Sequence, residues 1–499
     1  MTKEISSVTV FEEIEKNQKD ESIQQRLENI GFQERQDMEK VWEAEGKKGR
    51  KPNTIEPNRC AYLLRQELNF LLFDNEENTK LSVYLEDEGI YTQNVFTIKK
   101  LISYIEPKFN SRKADDVIYH IKNKAQIRPK TNAPHLIPVK NGIFNQNTKR
   151  LERFTPEYVF TTKIDTDYVH NPVKPTFDNW DVDEWFDEIA CQNGQVSHLL
   201  WQVVSDSLNG NYTRKQAIFM VGDGNNAKGT FQEMLINLIG KRNIAALKVN
   251  EFDQRFKLSL LEGKTAVIGD DVPVGVYIDD GSNFKSVITG DYVLIEFKNQ
   301  QPYSVQFRCT VIQSSNGMPR FKDKTDAVFK RFVIVPFNAN FKGVNENRKI
   351  KDEYIKDPQV LEYILNKAIN MDFEKFDIPD ISKRMLDEYK QDINPIYDFK
   401  INVFDNWRLR IVPKYIVYGF YKKFCDENGY KPVSNRSFHS EFKKLLPNYW
   451  KTDGQARVTW DELIDEIGDL NQMRGTYIDF PAKNKNEKVY INENLAIVS

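Results

Sequence analysis

The densest chemical signal lies between residues 217 and 239. An apolar run, Ala217-Ile-Phe-Met-Val221, leads into Gly222-Asp223-Gly224-Asn225-Asn226-Ala227-Lys228-Gly229-Thr230, and a helical pattern follows from Phe231 to Ile239. Strand, small-residue loop, lysine and helix make the order that a polyphosphate requires. Small residues let the backbone wrap, its N–H groups turn inward, and the helix N-terminus favours negative charge. Lys228 is placed to reach β- and γ-phosphates. Two positions depart from the usual loop: Ala227 replaces a glycine, and Gly229 replaces the Ser or Thr whose hydroxyl meets Mg²⁺, with Thr230 one residue later. The competing reading of this segment alone is an ordinary Gly/Asn-rich turn capping a helix.

Three further segments sharpen the choice. Thr265-Ala-Val-Ile-Gly-Asp270-Asp271 is an apolar strand ending in two carboxylates; one acid suits Mg²⁺ and the next suits polarising an attacking water. Val311-Ile-Gln-Ser-Ser-Asn316 is a strand ending in a polar residue suited to sense a γ-phosphate. Lys330-Arg331 precedes the apolar Phe-Val-Ile-Val-Pro336, and an arginine there can be offered to a neighbouring subunit's γ-phosphate. In isolation Arg331 reads as a surface ion-pair partner. Between the acids and Asn316, residues 284–299 read as a helix, a Gly-Asp turn and a hairpin carrying Phe297-Lys298. A lysine beside an aromatic suits a grip on single-stranded nucleic acid; the alternative is an exposed edge lysine.

These residues need a scaffold, and the chain predicts one in parts. Residues 1–52 read as a charged helical arm, either solvated or a docking segment for a partner, with Gly46, Gly49 and Pro52 ending it. Residues 58–175 read as mixed α+β: Cys60, Leu63, Leu64, Leu68, Leu71 and Leu72 at helical spacing, a strand at Leu81–Leu85, helices over 97–105 and 114–121, and a hairpin through Asn141-Gly142. Residues 177–342 alternate strands and helices, which predicts α/β with a largely parallel sheet. Residues 343–400 read as a helical connector, and 401–499 as a helical module with a strand-rich tail that includes 476–480 and 488–491.

The series of phosphate loop, Asp270-Asp271, Ser-Val-Ile-Thr-Gly-Asp291 with Lys298, Ser-Ser-Asn316 and Lys-Arg331-Phe resembles the superfamily 3 DNA helicases, in particular the phage, plasmid and mobile-element primase–helicase branch. Upstream Val139-Lys-Asn-Gly-Ile-Phe144 and downstream Tyr418-Gly-Phe-Tyr-Lys422 are similar to the same branch, so the resemblance covers roughly residues 60–450. It implies an AAA+-like P-loop ATPase core that uses ATP and Mg²⁺ and assembles as a hexamer. Lys228, Asp270, Asp271 and Asn316 would serve one face of each inter-subunit site, and Arg331 would come from the neighbour. Lys298 would touch single-stranded DNA in the channel, with 3′-to-5′ movement on forked or origin duplex DNA. Asp271 is shorter than the glutamate usual at that place. Asp165-Thr-Asp167 is a D-x-D pair without a third acid, so no primase activity is expected of this chain; a separate primase is an expected partner.

In residues 401–451 ten Lys/Arg face four acids, a local balance of 10 − 4 = +6, with aromatics interleaved. By the same resemblance this is a winged-helix-like module, with Arg436, Lys443 and Lys444 on a helix that enters a major groove; the alternative is a structural cap with a basic face. The whole chain of 499 residues is near neutral, 71 Lys/Arg against 73 Asp/Glu, so total charge says nothing about a nucleic-acid partner. Its 12 % aromatic content argues against wholesale disorder. No apolar stretch is long enough to span a bilayer, so no membrane partner is expected. The start, Met1-Thr2-Lys3-Glu4, resembles no signal peptide, and four cysteines without a C-x-x-C pair predict a reduced, cytoplasmic protein. Two other functions compete: a nucleotide-gated origin-binding initiator with little hydrolysis, suggested by Gly229, and a remodelling motor that does not unwind DNA.

Overall fold

The computed structural model describes residues 21–76, 79–298, 301–322, 326–343, 347–458, 463, 476–477 and 486–495. The first element among the described residues, α1 (Ile23–Ala44), starts on a capping box between Ser22 and Gln25. It does not stand off in solvent. Ile23, Leu27 and Gly31 are buried, and Arg35 donates to the Ile105 carbonyl at 2.7 Å. A Cβ on Gly31 would lie 2.1 Å from that same oxygen, so only glycine allows this approach. The described part of the predicted arm therefore packs on the following domain; residues 1–20 lie outside the described set.

That domain runs α2 (Pro57–Glu67), β1 (Phe70–Leu72), β2 (Ser82–Leu85), β3 (Ile90–Thr92), α3 (Val95–Ile105), α4 (Ser111–Lys122) and β4 (Gln126–Ile127). Its sheet has the order β3-β2-β1-β4, with only the β1–β4 pair parallel. Leu71 and Leu72, expected to continue the helix, form β1 instead. An apolar run this short does not separate helix from strand by periodicity. A meander follows: β5 (Leu136–Val139), β6 (Gly142–Asn145) and β7 (Arg150–Glu152). The expected hairpin is present, one residue earlier than its sequence signal, because Val139 pairs with Gly142 and the turn is Lys140-Asn141. Gly142 is needed for another reason, since a Cβ there would meet the Glu152 carbonyl at 2.5 Å.

The centre of the molecule comprises α5 (Val182–Ile189), α6 (Gly194–Ser207), β8 (Ala217–Val221), α7 (Lys228–Ile239), β9 (Ile244–Ala246), β10 (Ala266–Gly269), β11 (Tyr277–Ile278), α8 (Ser282–Thr289), β12 (Tyr292–Ile295), β13 (Tyr303–Gln306), β14 (Thr310–Ser315), β15 (Arg320–Phe321), α9 (Asp326–Phe329) and β16 (Phe332–Pro336). Five of these strands form a wholly parallel sheet in the order β16-β8-β14-β10-β9. Side chains alternate between two cores, as the two-residue strand period demands. Ile218, Met220, Val333 and Val335 join Phe231 and Ile364 on one side; Phe219, Val267, Phe332 and Ile334 join Phe252 and Phe284 on the other.

Beyond the sheet come α10 (Arg348–Asp352), α11 (Pro358–Ile369), α12 (Asp380–Ile393), α13 (Pro395–Asn402), β17 (Ile411–Pro413), α14 (Lys414–Glu427), α15 (Asn435–Leu445), β18 (Trp450–Ala456) and β19 (Glu487–Asn492). The last six elements share one core, in which Phe399, Tyr421, Phe438, Phe442 and Tyr490 meet. Their three strands pair antiparallel in the order β17-β19-β18. The expected strand over 488–491 lies within β19, whereas 478–480 and most of the acidic stretch 461–469 fall outside the described residues.

Candidate active site

Four strand ends, three of them carrying the predicted chemistry, open on one edge of the parallel sheet. β8 hands over to the loop 222–227, β10 to Asp270, β14 to Asn316 and β16 to Phe337. In open parallel sheets this carboxyl edge is where ligands bind. Asn225 and Ala227 take left-handed backbone, φ 59° and 68°, which curls the loop. The buried Asn226 donates its Nδ2 to the Phe337 carbonyl at 2.6 Å and so fastens the loop to the exit of β16. A Cβ on Gly222 would come 2.0 Å from that carbonyl, whereas one on Gly224 or Gly229 would meet no atom within 4 Å. No side chain caps α7 at Ala227, so a capping group takes none of the N–H groups that a helix leaves unpaired in its first turn.

Lys228 points back into the loop. Its ammonium reaches the carbonyls of Gly222 and Asp223 (2.8 Å to the latter), Asn226 Oδ1 at 3.1 Å and Asn316 Oδ1 at 3.4 Å. Three protons serve four oxygens, so at least one contact is shared. Burial lowers the Lys228 pKa, and the nearby Asp223, Asp270 and Asp271 oppose that shift. Lysine, loop and Asn316 are thus together.

The acids are organised by a residue the motif reading missed. Ser314 Oγ donates to Asp270 Oδ1 at 2.8 Å and accepts the Asp271 N–H at 3.1 Å. Asp271 turns with φ 49° and offers its carbonyl to Lys248 at 2.8 Å. Deeper in the sheet, Gln313 crosses the neighbouring strand: its Oε1 accepts the Val249 N–H at 2.7 Å and its Nε2 donates to Leu247 O at 3.1 Å. The crossing needs Gly269, where a Cβ would lie 2.2 Å from Gln313 Oε1. A buried glutamine and two serines inside an otherwise apolar strand were the available signal. Thr230 is half-buried in the first turn of α7.

Arg331 is elsewhere. Its carbonyl accepts the Ala217 N–H at 2.7 Å, so it sits at the beginning of β16, while the loop follows Val221, which pairs with Pro336 at the strand's end. Five strand residues, roughly 16 Å at about 3.3 Å each, separate the two levels. The Arg331 guanidinium donates to the Ala327 carbonyl. Asp165 and Asp167 carry surface ion pairs to Arg242 and Lys140, at 3.6 and 3.4 Å.

The hairpin β12–β13 carries Lys298 exposed at its turn. Phe297 is half-buried and stacks on Tyr303, with ring centroids 6.1 Å apart and planes at 12°. Lys80 sits 5.0 Å from the Phe297 centroid. The Phe297 ring, expected beside Lys298 as part of a single-strand grip, is thus engaged within the chain by Tyr303 and Lys80. On α15, capped by Ser434, the three basic residues diverge. Arg436 is exposed, Lys443 pairs with Asp453 at 2.9 Å, and Lys444 lines a cleft of about 590 Å³ facing Tyr277 and Lys322. Among the described residues no cluster of His, Cys, Asp and Glu could hold a metal by itself, and no helix is long and apolar enough to cross a membrane.

Three family descriptions match successive parts of the chain: D5 N terminal like over 38–190, a family of unknown function (DUF5906) over 220–331, and Poxvirus D5 protein-like over 391–466. The putative helicase 121R of Invertebrate iridescent virus 3 is 21 % identical over 229 residues, 42 % of this chain. The match spans only 23 % of that relative's length. An apo structure of the NrS-1 C terminal region aligns with TM-score 0.50 at 12 % identity, covering 88 % of this chain and 99 % of that one, and so shares the fold. The chain is thus similar to D5-type families on both flanks of its parallel sheet and, over part of its length, to a viral protein named a putative helicase.

Proposed function

We propose that the protein is an ATP-dependent DNA helicase of the superfamily 3 type, with an AAA+-like core, acting in replication of a virus, phage, plasmid or other mobile element. The observation that carries the reading is the convergence of Lys228, Asp270 and Asn316 on one carboxyl edge of a parallel sheet. A strand order in which β14 separates the loop-bearing β8 from the acid-bearing β10 supports it. ATP is the substrate. The loop N–H groups and Lys228 hold its phosphates, Asn316 senses the γ-phosphate, and Asp271 polarises the attacking water. Mg²⁺ fits the residues present: an ion that keeps most of its waters needs one or two protein oxygens. Asp270, oriented by Ser314, supplies one, and Thr230 the other. When bound, the ion offsets charge developing on the phosphate oxygens.

Arg331, on the far edge of the sheet, serves the neighbouring subunit's site in a ring, by resemblance a hexamer. Lys298 grips single-stranded DNA through phosphate charge, and the resemblance supplies 3′-to-5′ movement. The α13-β17-α14-α15-β18-β19 order and its antiparallel sheet support a winged-helix-like module. Arg436 is its exposed duplex contact on a forked or origin substrate, and a separate primase completes the machinery. The deciding experiment is ATP turnover with and without single-stranded DNA, and fork unwinding, for wild type and Lys228→Ala. Loss of a phosphate-binding cation predicts at least about a 100-fold fall in turnover. Wild-type protein that neither turns over ATP nor unwinds a fork would favour the nucleotide-gated initiator instead.

A further inference from the structure

The hairpin β12–β13 is a separate two-stranded sheet, and such a sheet is marginal without support. Its outer face offers none, since Tyr292 and Leu294 are exposed. Its inner face packs Val293 and Ile295 into the core beside Phe284 and Phe307, and its loop end is held in addition by the N-terminal domain. Lys80, just ahead of β2 and with its carbonyl accepting Gln93 Nε2 at 3.2 Å, extends its ammonium over the Phe297 ring and to within 3.4 Å of Glu262 Oε2. Glu262 accepts the Tyr303 hydroxyl at 2.6 Å on its other oxygen, and Tyr303 stacks on Phe297. Phe297 immediately precedes Lys298, and Tyr303 opens the return strand β13. One lysine of another domain therefore holds both ends of the loop that presents Lys298. Lys80 and Glu262 are both half-buried, where such contacts are less screened than on the open surface.

We propose that Lys80 is a positioning residue that tethers the Lys298 loop to the N-terminal domain, so that the loop's height in the channel follows that domain; the proposal rests on the reading of this loop as the DNA contact. Lys80→Met keeps the stem and removes the charge. In the full chain without DNA, amide hydrogen exchange across 292–306 should speed at least about threefold, the scale of a lost cation–π contact. Basal ATP turnover should stay unchanged, and single-stranded DNA affinity and DNA stimulation of turnover should fall. Lys80→Arg, which can sit on the ring and pair with Glu262, should restore wild-type exchange. Tyr303→Phe, removing only the hydroxyl that Glu262 holds, should shift exchange in the same direction. Wild-type exchange across 292–306 in both Lys80→Met and Tyr303→Phe would overturn the tether. Faster exchange with unaltered DNA binding would uphold the tether and sink the assignment of Lys298 to DNA.

Discussion

Asp270 and Asn316 were legible because each ends a strand pattern, and Lys228 because it closes a small-residue loop after one; parallel strands bring such ends to one edge. Ser314 was not legible. It lies inside its strand, and its partners Asp270 and Asp271 become visible only once the register between β10 and β14 is known. Gly229 poses the sharpest question at this scale. It is exposed, and a Cβ there would meet nothing within 4 Å, so Gly229→Ser should leave the melting temperature unchanged or slightly raised, serine being the better helix former. If Thr230 supplies the oxygen for Mg²⁺, Thr230→Ala should raise the Mg²⁺ concentration needed for tight ATP binding by about fivefold, the scale of one net contact of roughly 1 kcal/mol. Gly229→Ser in that background should recover part of the loss. Equal Mg²⁺ titrations for wild type and Thr230→Ala would leave water, not Thr230, as the ligand.

At the scale of elements, the sequence pattern marked four of the five strands of the parallel sheet but not β9, together with several helices, and it failed where one residue decides. Phe70 to Phe73 is apolar throughout, and Asn69 alone marks that the helix has ended at Glu67. On α15 the amphipathic pattern places Phe438 and Phe442 inside, but it does not say what neighbours the outer lysines, which depends on Asp453 of β18 and on the segments around Tyr277 and Lys322. The same helix carries a titration. Burial, with the Lys414 cation adding to it, holds the His439 pKa down at about 4, and its Nδ1 shares a 2.8 Å hydrogen bond with the Tyr490 hydroxyl. A base whose folded pKa is depressed stabilises the fold fully above its ordinary value of 6.5. That contribution is lost as pH falls from there towards 4, by at most about 1.4 kcal/mol per pH unit. Melting curves between pH 7.5 and 4.5 should therefore fall more steeply for wild type than for His439→Gln. Parallel curves would mean that His439 does not titrate with folding.

At the scale of the whole molecule, the sheet has two edges with different work. Lys228, Asp270 and Asn316 stand on the carboxyl edge and Arg331 at the opposite one, level with Ala217. Arginine reach is several ångströms, well short of the roughly 16 Å between levels, so Arg331 cannot complete the site of its own chain without dismantling β16. If Arg331 acts on the phosphates as proposed, the site is composite between copies, and that makes a prediction that no single-chain site would. Lys228→Ala and Arg331→Ala should each be nearly inactive in ATP turnover. Mixed in equal amounts and allowed to exchange subunits, the two should regain activity, because an interface pairing the intact Lys228 of one with the intact Arg331 of the other is complete. Random mixing makes about a quarter of the interfaces complete in a closed ring of head-to-tail contacts. Partial recovery towards that fraction, appearing at the rate of subunit exchange and absent when either variant is assayed alone, is the expected result. A mixture no more active than its components would place Arg331 outside the reaction and return it to the surface ion-pairing role that its sequence context alone suggested.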